Sequence, residues 1–204
     1  MNIKPLSNAA RRIWGVFLQL KAIFTNAGKA QEDAFAMQEK QIEFEEKKII
    51  QYPESKNYLT QDIKQKKLRL EKEKEEFYTF KTLIDNLPPN KTPEYYFDIL
   101  RRILYKLNRE ESTMRIGKLY TFKYVATTQG KWYDLHPVAI ITSKFDNGWK
   151  GLNYHWERNP EYIENPIRSY VFTGVRSRFY NIEMHELEYI LQVPSFRPIF
   201  INKR

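Results

Sequence analysis

Three residues have side chains suited to acid–base or metal chemistry: Asp134, His136 and His155. Asn153, Glu157 and Arg158 stand close enough in sequence to join them. An imidazole beside a carboxylate makes an acid–base pair. Two histidines and an aspartate make part of a metal ligand set. The spacing fits no recognised pattern of either kind, such as HExxH. Each residue also has a structural role open to it. Asp134 precedes the turn at Pro137, where a carboxylate accepts backbone N–H groups. His155 alternates with aromatic residues in an expected strand, as a core or rim residue would. Gly148 and Gly151 read as turn and close-approach glycines, not as a phosphate cradle. The absence of cysteine removes disulfides, thiol catalysis and cysteine zinc sites. The expectation is a non-enzymatic protein with no metal or cofactor.

A second chemistry is nucleic-acid binding. The chain has a formal net charge of +9, and both halves are net basic. Positive charge steers a protein toward nucleic acid or toward acidic protein surfaces, without choosing between them. Trp149, Lys150, Tyr154 and Arg158 are the candidate contacts, since small barrels bind strands through aromatic platforms and basic loops. Aromatic core residues would give the same pattern.

The elements that position these residues begin with helices. Residues 1–31 are basic, with Ile13, Phe17, Leu20 and Phe24 at helical spacing. This segment superficially resembles a signal peptide, but Lys21 interrupts it and no clean cleavage pattern follows. It is expected to pack on the chain or on a partner. Phe35, Ile42 and Ile49 are seven apart, as are Ile63, Leu70, Phe77 and Ile84. That period predicts a long helical hairpin with coiled-coil character, broken between Gln51 and Asn57 at Pro53. Leu59 and Phe80 mark a second seam whose middle is polar, at Lys66 and Glu73. The charged run Lys64–Glu76 reads as a solvated face. Thr92-Pro93-Glu94 predicts a helix start, with Tyr96, Leu100, Ile103, Leu104 and Leu107 buried. No apolar run reaches membrane-spanning length, so no membrane role is expected.

From Met114 the period changes to two. Strands are predicted at Leu119–Val125, Val138–Thr142, Trp149–Trp156 and Tyr170–Thr173, with a short fifth at Arg176–Tyr180. Thr127–Gly130 and Asp146-Asn147-Gly148 are the turns, the latter expected to use positive φ. A short helix is predicted at Glu183–Leu191. The last apolar segment, Phe196 to Ile201, either closes the sheet or docks on a neighbour. The fold class predicted is α+β. Long N-terminal helices in residues 1–111 precede a small, partly open SH3-like β-barrel with a short C-terminal helix in residues 112–204.

The run GKLYTFKY, then WYDLHPVAII, then GWKGLNYHW, then SRF resembles a family of small tailed-phage proteins. The family pattern is YYD-x-x-P followed by G-x-x-GLN-x-H-Y and an SRF element. The matching positions are Gly117, Leu119, Tyr120, Tyr124, Tyr133, Asp134, Pro137, Gly148, Gly151, Leu152, Asn153, His155, Arg178 and Phe179. Trp132 and Trp156 depart from it, each replacing a tyrosine. The likeness covers roughly residues 116–193 and leaves out the helical front. It implies a virion or virion-assembly protein of the head–tail neck or tail, assembled in the host cytoplasm. The expected partners are other virion proteins and further copies of the chain in a ring, with DNA contact as an open question. The competing expectations are a nucleic-acid-binding protein of DNA packaging or end protection, and an enzyme built on Asp134, His136 and His155.

Overall fold

The computed structural model describes residues 26–51, 56–126, 132–156, 167–172, 177–193 and 198–200. The basic segment before Asn26, the Pro53 break, the Thr127–Gly130 turn, Glu157, Arg158 and Arg176 lie outside them. Helix α1 spans Ala27–Gln51 and α2 spans Lys56–Asp85. They form the predicted hairpin. Phe35, Ile42, Ile63, Leu70, Phe77 and Ile84 are all buried, so the seven-residue seam is the contact between the helices. Burial of each large side chain contributes about 1.5–3 kcal/mol. The flank carries a ladder of ion pairs: Glu46 with Lys67 at 2.7 Å, Glu39 with Lys74, and Glu32 with Lys81 at 2.9 Å. Partners recede along one helix as they advance along the other, which is the antiparallel register. The polar middle of the second seam is matched rather than wasted, because Lys66 bonds Glu45 across the hairpin at 2.9 Å.

Helix α3, Pro93–Lys106, starts where predicted. Thr92 Oγ1 accepts from the Tyr95 N–H at 3.2 Å, and Pro93 occupies the first turn. Its buried face is Tyr96, Phe97, Leu100, Ile103 and Leu104. The helix stops short of Asn108, which has φ 56°.

The strands are β1 (Glu110–Glu111), β2 (Leu119–Phe122), β3 (Trp132–Asp134), β4 (Val138–Phe145), β5 (Gly148–Asn153), β6 (Ile167–Val171), β7 (Phe179–Ile182) and β8 (Pro198–Phe200). Six of them form an antiparallel sheet in the order β1-β7-β2-β4-β5-β6, and β3 pairs with β8 in a second ribbon. The six-stranded sheet is not closed into a tight barrel. The C-terminal apolar segment therefore pairs within its own chain. The predicted C-terminal helix is a 3-10 turn, Met184–Glu186, continuing into α4, Leu187–Ile190.

Several strand boundaries differ from expectation. β2 ends at Phe122, and both its faces are buried. One face, with Leu119, Val138, Tyr180 and Ile182, packs on the helices. The other, with Tyr120, Phe122, Ile141 and Phe179, packs on aromatic residues of the sheet itself. Lys123 and Val125, expected to extend the strand, are exposed beyond it. β5 stops at Asn153, and Tyr154–Trp156 turn away as 3-10. The short strand expected at Arg176–Tyr180 is β7, shifted to Phe179–Ile182. The apolar cluster runs unbroken from Phe35 of the hairpin to Ile190, across the boundary expected near residue 111.

The sheet curls strongly. The Phe122 and Tyr170 ring centroids are 5.1 Å apart although β4 and β5 lie between their strands. Phe172, just past β6, reaches Phe179 of β7 at 5.2 Å. A bulge between Ile141 and Ser143 helps bend β4. The glycines permit the close strand approach. A Cβ on Gly148 would stand 2.1 Å from the Tyr170 carbonyl oxygen, and one on Gly151 2.8 Å from that of Ile140. The Asp146-Asn147 hairpin turn forms, but neither Asn147 nor Gly148 has positive φ. Gly148 is needed for space rather than for backbone freedom. Gly148→Ala is expected to lower stability by at least about 1–3 kcal/mol, the cost of forcing atoms into packed space. Chemical denaturation against the wild-type chain measures it.

Candidate functional site

The pairing of β4 with β5 brings Asp134 and Asn153 to the same end of the sheet. Asp134 closes β3 and is almost fully buried, as is Asn153 at the end of β5. The Asp134 carboxylate accepts three hydrogen bonds. Oδ1 takes the His136 backbone N–H at 3.0 Å. Oδ2 takes Asn153 Nδ2 at 3.0 Å and His155 Nδ1 at 2.9 Å. Asn153 Oδ1 then accepts the His155 backbone N–H at 2.9 Å. That last bond folds the chain back on Asn153, which is the local reason β5 gives way to a 3-10 turn. The Tyr170 ring borders the same pocket. Burial pushes its phenol well up, and the Asp134 charge pushes in the same direction.

The sequence candidates separate here. Asp134, Asn153 and His155 converge. His136 contributes its backbone N–H, and its ring stacks on Phe97 with centroids 4.2 Å apart. A carboxylate that fixes an imidazole through Nδ1 is the orienting half of a hydrolytic triad and a common support for metal-bound histidine. Both uses require Nε2 to reach a substrate, a nucleophile or a metal. His155 Nε2 is buried in this fold. Among the described residues no three carboxylate or imidazole side chains group as a metal site. In this conformation the arrangement cross-links two strand ends. Of the other motif residues, Pro137 immediately precedes β4 beside this centre, Gly151 lies within β5, Gly148 stands at the opposite end of β5 at the β4–β5 turn, and the backbone of Tyr133 pairs with Ile199.

The three described candidate nucleic-acid contacts do not form one surface. Lys150 is exposed on β5. Trp149 is half-buried, its ring against Phe172 and Phe179 at 5.8 and 5.6 Å. Tyr154 is 2% exposed, and no base can stack on it. Its burial also pushes its phenol up. Arg158 lies outside the described residues.

A second buried polar centre joins the hairpin to the sheet. Glu186 is fully buried and pairs with Arg109, whose side chain is 12% exposed. Glu186 Oε2 also accepts the Glu183 N–H at 2.9 Å. Arg109 reaches Glu76 of α2 at 3.8 Å, and its carbonyl accepts the Asn181 N–H of β7 at 2.9 Å. Burial pushes the Glu186 carboxyl up, and Arg109 pulls it back. Beside this centre His185 packs edge-on against Phe77 at 5.3 Å. Sequence alone gave no signal for this pair, because Arg109 and Glu186 are 77 positions apart and each looks like a surface charge.

An open groove of about 930 Å³ separates the N-terminal half of α3 from the β2 and β7 ends, lined by Tyr95, Phe97, Arg101, Lys123, His136 and Arg178 among others. Among the described residues no helix is long and apolar enough to cross a membrane. No family model, curated protein or solved structure matches the chain.

Two outcomes follow from these centres. Asp134→Asn keeps the shape but loses acceptor capacity for the Asn153 and His155 donors, so about 1–3 kcal/mol of stability is expected to go. Wild-type stability in that variant, read by denaturant titration, would remove the carboxylate from its central place. His185 has its pKa lowered from 6.5, chiefly by burial, with Arg109 adding to the shift and Glu183 opposing it. The folded state then binds fewer protons than the unfolded state, so stability is full above 6.5 and falls as pH drops through the window below it. Glu186, with its pKa raised, acts with the opposite sign above its ordinary value of 4.5. His185→Phe is therefore expected to flatten the loss of stability between about pH 7.5 and about pH 5.5, measured by denaturation at both.

Proposed function

We propose that the chain is a non-catalytic assembly subunit, and that its hairpin bridges neighbouring subunits while the sheet anchors it. One observation carries this reading. The described ring contacts and ion pairs between hairpin and body come from Glu76, Phe77 and Lys81, near the end of α2. From there α2 runs back to Lys56, about 30 Å at helical rise. Along this arm Met37, Phe44, Ile50 and Leu68 are 73, 58, 81 and 69% exposed. Apolar side chains left outside a chain's own core are the usual material of an interface.

The virion setting rests on the resemblance of residues 116–193 to the small tailed-phage family. The reading is then a neck or tail component, a homo-oligomer or ring member beside other virion proteins. The curled sheet with its β3–β8 ribbon is read as a partly open SH3-like barrel. Burial of His155 Nε2 supports a structural use of the Asp134 centre over a catalytic one.

Native mass spectrometry of the full chain, alone and with purified virion proteins of its phage, tests the proposal. Discrete oligomers or stoichiometric complexes are expected. Met37→Glu with Phe44→Glu should shift the population at least about tenfold toward free chain while leaving thermal unfolding unchanged, since both sites are exposed. A chain that stays monomeric with every virion partner overturns the reading.

A further inference from the structure

The positive charge of this chain is answered in one place and left open in another. On the hairpin, Lys66, Lys67, Lys74 and Lys81 each face a carboxylate of the opposite helix. The solvent face of α3 is different. Tyr95, Arg102, Tyr105 and Lys106 recur there at helical spacing, opposite buried Leu100, Ile103 and Leu104. Tyr95 is 41% and Tyr105 60% exposed. The Lys91 ammonium stands 5.9 Å from the Tyr95 ring centroid. Lys123 is exposed on the far wall of the groove that Tyr95 also lines.

The carboxylates on this face are Glu94 and Asp98. Asp98 is held by Arg101 and by Arg102, the latter at 2.7 Å. The Arg102 side chain is 70% exposed. An ion pair this exposed contributes little, so the guanidinium exchanges a carboxylate for a phosphate at small cost.

We infer that this face of α3 binds single-stranded nucleic acid, with phosphates on Arg102, Lys106 and Lys123 and bases stacked on Tyr95 and Tyr105. The two tyrosines are about 15 Å apart along the helix axis, with the cations between and beside them. Rings interleaved with cations match the alternation of base and phosphate along a strand. A duplex hides its base faces, and a plain polyanion has no use for the rings. The site is separate from the hairpin surface proposed for assembly and does not depend on it.

The test is fluorescence anisotropy of a labelled thymidine oligomer of about 20 nucleotides with the full chain at graded salt. Arg102→Ala with Lys106→Ala is expected to weaken binding at least about tenfold and to flatten the salt slope by about 1.4. Tyr95→Ala with Tyr105→Ala should weaken it by a similar factor at an unchanged slope, while Tyr95→Phe with Tyr105→Phe retains binding. An abasic oligomer of equal length should bind the wild-type chain at least about tenfold more weakly. Neutralising Lys67 and Lys74 on the hairpin should leave affinity within about twofold. All these positions except half-buried Lys74 are exposed, and unchanged thermal unfolding verifies the fold of each variant. Salt-independent or absent binding overturns the inference. So does equal affinity for the abasic oligomer, or an equal loss from the hairpin substitutions.

Discussion

The arrangement of the whole chain depends on one buried charge pair. Glu186 has no access to water, and Arg109 has little. Removing either partner would leave a charge in a medium that cannot solvate it, at a cost of about 3–5 kcal/mol. The pair therefore holds together everything that touches it. Arg109 sits between α3 and β1, bonds β7 through its carbonyl, and reaches α2 through Glu76. Glu186 sits in the turn that leads from β7 into α4. Hairpin, helix and sheet meet at this point, and the surrounding apolar cluster follows from that meeting. Phe77, Tyr189, Leu187 and Ile190 belong to that cluster.

The sheet shows a related economy. β2, and β4 from Val138 to Ile141, have helices on one face and the sheet's own aromatic residues on the other. Such a strand has no solvated face, so the usual apolar-in, polar-out alternation disappears. Thr121 is buried along with its apolar neighbours. Curling lets one sheet cover itself, and it brings distant strand ends together. The Asp134 centre lies at such a junction, where strands stop pairing and loose N–H groups require an acceptor. Three donors on one carboxylate satisfy that need.

What could be read in sequence was whatever depends on local period or local hydrogen bonding. The seven-residue spacing from Phe35 to Ile49 and from Ile63 to Ile84 identified the hairpin and its seam. Thr92-Pro93 identified the start of α3. Asp134 was expected to take backbone donors, and it accepts the His136 N–H. Long-range facts were hidden. Nothing near Arg109 points to Glu186, and nothing in β2 reveals that both its faces are covered. Tyr154 looked like a platform in an alternating strand. Its alternation ends because Asn153 captures the His155 N–H, a contact that period counting does not contain. The α3 surface is hidden in the sequence for the opposite reason. Its buried stripe accounts for the helical period in full, and period alone assigns no role to the exposed tyrosines on the other side.

The ion ladder of the hairpin has one more consequence. Its rungs recur every seven residues on both helices, so sliding one helix past the other by a full heptad brings most rungs back into pairing. The ladder alone therefore has several nearly equivalent settings, like a ruler with identical marks. The Phe35–Phe77 contact at 5.7 Å, seated against Tyr189, is what distinguishes one setting from the next. Position is set at the base, and length is free beyond it. Whole heptads added or removed in step on both helices would change the reach of the arm without disturbing its foot.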